Sequence, residues 1–129
     1  MVQGLAVTVG LPRLAGPADY AGSGRVRRMT FTVYLSGEIH TDWRDEIQRG
    51  ADAAGLDVVF TAPVTDHPAS DAAGDHLGET PSKFWRDHQS SKVNAIRTRT
   101  LIEDADMVVV RFGSEYKQWN AAFDAGYCA

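Results

Sequence analysis

The chain has 129 residues, a hydrophobic content of 43% and a formal charge of −4 at neutral pH. That is the size of one domain with a core, and the acidic balance argues against a nucleic-acid polymer as partner, which needs a basic face. No apolar run approaches the ~20 residues that span a bilayer, and the single cysteine, Cys128, excludes an intrachain disulfide and fits a reducing cytoplasm.

Residues 1 to 28 are rich in Gly, Ala and Pro and read as a flexible extension. Their apolar stretch "GLAVTVGL" is short, broken by glycine and preceded by no positive charge, so it does not read as a secretory signal. From Thr30 the pattern becomes regular. "TFTVYLSG" (30–37) is β-branched and aromatic and stops at Gly37, as a strand before a tight turn does. "TDWRDEIQRGADAAG" (41–55) places Trp43, Ile47, Ala51 and Ala54 on one helical face. Thr41 or Asp42 suits its N-cap and Gly55 its end. "DVVFTAP" (57–63) is a second strand. Residues 64 to 89, with Pro68, Gly74, Gly78 and Pro81, read as a long loop with a helical turn near Phe84 and Trp85. A helix follows from Ser90 or Ser91 through Ala105. "DMVVVRFG" (106–113) is a continuous apolar strand of the kind covered on both faces. A last helix starts near Trp119 or Asn120.

This alternation predicts an α/β domain over residues 30 to 129 with a parallel sheet and right-handed crossovers. Ligands bind at the carboxyl ends of the strands in such sheets. "SGEIHTDWR", "APVTDH" and "FGSEYKQWN" therefore belong to one edge. Gly37 lets the backbone approach a ligand, and the following helix N-terminus suits an anion that Arg44, in the first turn, would share. Neither GxGxxG nor GxxxxGK[ST] is present. Three of the four histidines follow aspartates, yet their spacing matches no metal-ligand motif, and neither metal nor cofactor is expected. His67 stands out because it follows the exit of the second strand. Arg97 lies on or beside the apolar stripe of its helix and needs a partner. Asp124 is an acid among small and apolar residues. It is costly there unless it is used or paired.

"VYLSGEIHTDWRDEI", "DADMVVVRFGSEYKQWN" and "AAFDAGYCA" resemble the YtoQ family over residues 30 to 129. That family is in turn similar to the nucleoside 2-deoxyribosyltransferase superfamily. The resemblance implies a flavodoxin-like three-layer fold and action on the N-glycosidic bond of a nucleoside, a nucleotide or a related ribosyl compound. Gly37, with Ser36, Glu38 and Ile39, matches a loop that contacts sugar or 5′-phosphate. Ala105 and Asp106 match an "AD" that opens the third strand. Asp124, Gly126 and Cys128 match E-x-G-x-A, the pattern of a nucleophilic glutamate, with Asp for Glu and Cys for Ala. Gln118 and the "IRTRT" segment stand where relatives often carry acids.

The resulting expectation makes Asp124 and Arg97 the catalytic pair. It takes Ser36, Gly37, Glu38, Ile39, Arg44, His67, Tyr116, Trp119 and Asn120 as substrate-binding, with Tyr116, Trp119 or Trp43 stacking on a base. Arg97 is expected to hold Asp124 ionised through a salt bridge, with a lowered pKa. Two alternatives stand beside this. One is a non-catalytic nucleotide-like binder or sensor that keeps the Arg97–Asp124 pair, and the other is a hydrolase built on His67 and Asp71. Family relatives imply a homodimer. They also continue past the last helix, so three strands with a bare edge and a truncated C-terminus are expected.

Overall fold

The computed structural model describes residues 6–10, 30–115 and 117–129. A four-stranded sheet runs in the order β1-β4-β2-β3, with β1 Ala6–Gly10, β2 Phe31–Gly37, β3 Val58–Thr61 and β4 Met107–Arg111. Strands β3, β2 and β4 are parallel, and β1 runs antiparallel to β4, from Ala6 opposite Arg111 to Gly10 opposite Met107. The helices are α1 Trp43–Ala53, α2 His67–Asp71, α3 Lys83–Asp104 and α4 Trp119–Cys128. The fold is α/β and flavodoxin-like, its parallel strands following the 2-1-3 order at the start of that topology. Among the described residues no helix is long and apolar enough to cross a membrane.

The period-2 alternation of β2 and β4 builds the three layers. Val33, Leu35, Met107 and Val109 face α1, packing with Trp43 and Ile47. Tyr34, Val108 and Val110 face the other way, against Ile102 of α3 and Ala121 and Cys128 of α4. The strands are registered at their entrance by Asp106, whose carboxylate accepts from Thr32 N at 2.8 Å while its own N–H donates to the Thr32 carbonyl at 2.8 Å. At its far end α1 closes with Gly55 at φ +66, where Gly55 N donates to the Asp52 carbonyl and Leu56 N to the Ala51 carbonyl, each at 3.0 Å.

Two expectations need correction. Residues 6–10 of the predicted flexible extension form β1, which occupies the edge of β4 that three strands would leave bare. The rest of that extension lies outside the described residues. The long loop over 64–89 instead contains α2, a 3-10 turn at Asp75–Leu77 and the first turns of α3, which begins at Lys83. Residues 64–78 are fastened to α3 by polar contacts: Gly74 N donates to Ser90 Oγ at 3.0 Å, Gln89 Nε2 to the Gly74 carbonyl at 2.6 Å, and Arg86 is bidentate to Asp75 at 2.6–2.7 Å.

Gly37 closes β2 at φ +108, and a Cβ there would sit 2.0 Å from the Arg111 carbonyl oxygen of β4. Its absence of a side chain serves the β2–β4 pairing first. Gly37→Ala combines a backbone clash with a disfavoured φ and should cost about 3 kcal/mol or more. Urea unfolding monitored by circular dichroism checks this, with a loss of that size in the extrapolated unfolding free energy.

Candidate active site

β2 and β4 are neighbours whose following helices, α1 and α4, pack on opposite faces of the sheet, so their carboxyl ends form its switch point. A cavity of about 720 Å³ opens there, bounded by the end of β2, the segment after β3, α3 and α4. Ser36, Gly37, Ile39, His67, Arg97, Asn120 and Asp124 all line it. A smaller recess of about 290 Å³ adjoins it, sharing Gly37, Ile39 and Asn120 and adding Glu38 and Trp119. Nine of the expected site residues therefore converge on one strand edge. Tyr116 lies outside the described residues.

Asp124 is 5% exposed and accepts a hydrogen bond from the Ser36 hydroxyl. Ser36 reaches it because it alternates with Tyr34 on the face of β2 that packs beneath α4. Burial pushes the Asp124 carboxyl above the usual carboxylate range, and the Ser36 bond only partly offsets it. Here the expectation of a salt bridge fails. Arg97 is exposed on α3 and, among the described residues, makes no ion pair with Asp124. The pKa of Asp124 is raised and not lowered, because no guanidinium compensates the burial.

Arg44 is corrected as well. It is 9% exposed and lines neither cavity. Its Nε donates to the Leu35 carbonyl at 3.0 Å, and its two terminal nitrogens donate to the Glu38 carbonyl at 2.7 Å and the Gly37 carbonyl at 3.2 Å. The guanidinium also lies 4.6 Å over the Trp43 ring. The partial negative charge that Arg44 needs comes from backbone carbonyls at the end of β2, in place of a ligand anion. Trp43 cannot stack on a base, since its ring is buried and its Nε1 donates to the Glu38 carbonyl at 2.8 Å. The Glu38 carboxylate is likewise committed. It accepts from His40 N and, at 2.6 Å, from the Thr41 hydroxyl. Burial alone would raise its pKa, but these bonds and the charge of Arg111 outweigh that and leave it lowered.

His67 opens α2, whose N-cap Asp66 accepts from Ala69 N at 2.9 Å. Its ring centroid is 6.3 Å from that of His40. No group of three metal-ligating side chains occurs among the described residues. Trp119 is 73% exposed and lines the smaller recess.

Tyr34 is a site neighbour the sequence motifs did not single out. It is fully buried, its hydroxyl has no hydrogen-bond partner of normal geometry, and its pKa is pushed up to about 12, chiefly by burial. The Thr98 hydroxyl opposes that rise and the Asp124 charge adds to it, so the phenol belongs to the surroundings of Asp124.

The family model for "Nucleoside 2-deoxyribosyltransferase YtoQ" matches residues 34–129, which contain every element from β2's second half to α4. The chain belongs to that family. It is 42% identical over 100 residues to "Uncharacterized protein YtoQ" of Bacillus subtilis (strain 168), an alignment covering 77% of this chain and 68% of that one. The matched region holds Ser36, Asp124 and the whole described lining of both cavities.

Because a planar fork is what spans the carbonyls of Leu35, Gly37 and Glu38, lysine cannot replace Arg44. Arg44→Lys should cost about 2–4 kcal/mol through carbonyls left unpaired. Differential scanning calorimetry reads this as a fall in melting temperature of more than about 8 °C.

Proposed function

We propose that this protein cleaves or transfers the N-glycosidic bond of a nucleoside, a nucleotide or a related ribosyl compound, with Asp124 as the nucleophile. The observation that carries this is the placement of a nearly buried carboxylate, held by Ser36, on the wall of the switch-point cavity. The family name, "Nucleoside 2-deoxyribosyltransferase YtoQ", supports the substrate class.

The chemistry follows from the geometry. The ionised Asp124 attacks the anomeric carbon, the carbon–nitrogen bond breaks, and its electron pair leaves with the base, which gains a proton. A glycosyl ester on Asp124 remains. Water or a second base then displaces the ester, and the carboxylate is regenerated. Ser36 orients the attacking carboxylate by donating to one of its oxygens, which leaves the other for the sugar. A poorly solvated carboxylate is a stronger nucleophile and stabilises an oxocarbenium-like transition state more than an exposed one. Ile39, Asn120 and Trp119 flank the approach, with Trp119 available to stack on a base. The alternative of a non-catalytic sensor drew on an Arg97–Asp124 pair, and that pair does not form.

Asp124→Asn keeps the shape and a group that can accept from Ser36, yet removes the nucleophile. Release of free base from a panel of deoxynucleosides, followed by liquid chromatography, should fall at least about 10³-fold. Wild-type release should rise with pH through the raised carboxyl pKa, since only the ionised form attacks. Stability runs the opposite way. A carboxyl whose folded pKa lies above its unfolded value binds its proton more tightly when folded. Its contribution is fully present below the unfolded pKa and is lost as pH rises through the folded one. Asp124→Asn should therefore melt higher than wild type at pH 7, by about 2–6 °C, with the gap closing at acid pH. Retained base release in Asp124→Asn would remove the nucleophile assignment.

A further inference from the structure

A departing base needs a proton, and a side chain that supplies one must give it up near neutral pH. Among the described residues that line the large cavity, the ionisable ones are Asp66, His67, Asp71, Asp87, Arg97 and Asp124. A solvated carboxyl has already lost its proton at neutral pH, and a guanidinium does not release one. An imidazole both holds and releases a proton in that range. Asp66 is also spent as the N-cap of α2, where it accepts from Ala69 N at 2.9 Å. The place of His67 in the fold suits the task. The order β4-β2-β3 sets the exit of β3 beside that of β2, one strand spacing of about 4.8 Å away. Asp124 meets Ser36 at the end of β2, and His67 opens the helix that follows β3. A nucleoside whose sugar lies on Asp124 and whose base turns toward β3 therefore brings that base to His67. The helix is fastened one turn beyond the imidazole. Asn94 Nδ2 donates to the Ser70 carbonyl at 3.0 Å and to its hydroxyl at 2.9 Å, and Ser90 Oγ donates to the Asp71 carbonyl at 2.6 Å. His40 lines the adjoining recess with its ring centroid 6.3 Å from that of His67, so the two imidazoles stand where the cavities adjoin.

We propose that His67 is the general acid that protonates the departing base. The inference rests on Asp124 acting at the anomeric carbon. As the carbon–nitrogen bond breaks, its electron pair moves into the base, and the imidazolium of His67 gives its proton to a ring nitrogen of that base and becomes neutral. The neutral imidazole then serves the second step. Water attacks the anomeric carbon and passes a proton to His67, the ester carbon–oxygen bond breaks, and its electron pair returns to the Asp124 carboxylate. Both groups end as they began. The charged and titratable groups that share this wall with His67 are Asp66 and Asp71 beside it, Asp87 and Arg97 of α3, and His40 of the segment after β2.

The test compares 2′-deoxyguanosine with 7-methyl-2′-deoxyguanosine, with the intact protein in excess so that only the first step is read. The methylated base is already a cation in the nucleoside and departs as a neutral molecule without a proton. His67 is exposed, so His67→Gln leaves the core intact. The variant should slow guanine release at least about 10²-fold and 7-methylguanine release less than about fivefold. Wild-type guanine release should also fall on the alkaline side as the imidazole loses its proton, a limb absent from His67→Gln and from the methylated probe. An equal loss on both probes, or undiminished guanine release by His67→Gln, overturns the acid assignment and leaves the Asp124 reaction standing. No release from either probe by the wild-type protein removes that reaction and this proposal with it.

Discussion

The buried carboxylate of Asp124, seated against the Ser36 hydroxyl, is the constraint around which the rest of the cavity wall is arranged. Such a group is expensive to desolvate, and a chain that only had to fold would place a neutral residue there. Its cost is tolerable because it sits where the scaffold is stiffest. Ser36 and Tyr34 come from the central strand, Ala121 and Cys128 anchor α4 in the same core, and Arg44 holds the end of β2 by its carbonyls. The loop that leaves β2 is fixed a second time by Glu38, whose carboxylate turns back on His40 and Thr41. Stability and the proposed chemistry therefore draw on the same few residues with opposite signs.

The arrangement separates two kinds of charge. Cationic and anionic groups that stabilise the fold spend their hydrogen bonds locally, Arg44 and Asp106 on the backbone and Glu38 on His40 N and the Thr41 hydroxyl. Groups that remain available line the cavity: Arg97, His67 and the carboxylates of Asp71 and Asp87. Family membership, established over residues 34–129, places this cavity among nucleoside 2-deoxyribosyltransferase-like proteins without supplying a measured activity, since the Bacillus subtilis relative is itself uncharacterised.

Much of the fold was legible in the sequence because its strong signals are periodic. Strands β2, β3 and β4 and helices α1 and α4 lie within about two residues of where alternation and spacing put them. Three elements escaped: β1, the short α2 and the start of α3. β1 is five residues among glycines, and its pairing with β4 is tertiary. The start of α3 was hidden by a polar, aromatic first turn, although Pro81 followed by Ser82 as N-cap is a start signal that could have found it. At the site, sequence position identified which residues share an edge but not which way each turns. Arg44 points inward because carbonyls at the end of β2 meet its planar fork. Arg97 stays exposed although it sits beside an apolar stripe. Tyr34 was readable in principle, since period-2 alternation puts it on the same face of β2 as Ser36.

The central claim is that Asp124 becomes covalently attached to the sugar. The most direct measurement is mass spectrometry of the protein after incubation with a reactive deoxynucleoside and an acid quench, followed by proteolysis. A deoxyribosyl adduct is expected on the peptide that contains Asp124, absent when Asp124→Asn is treated in the same way. Base release by the wild-type protein with no adduct on that peptide, together with undiminished release by Asp124→Asn, would contradict it.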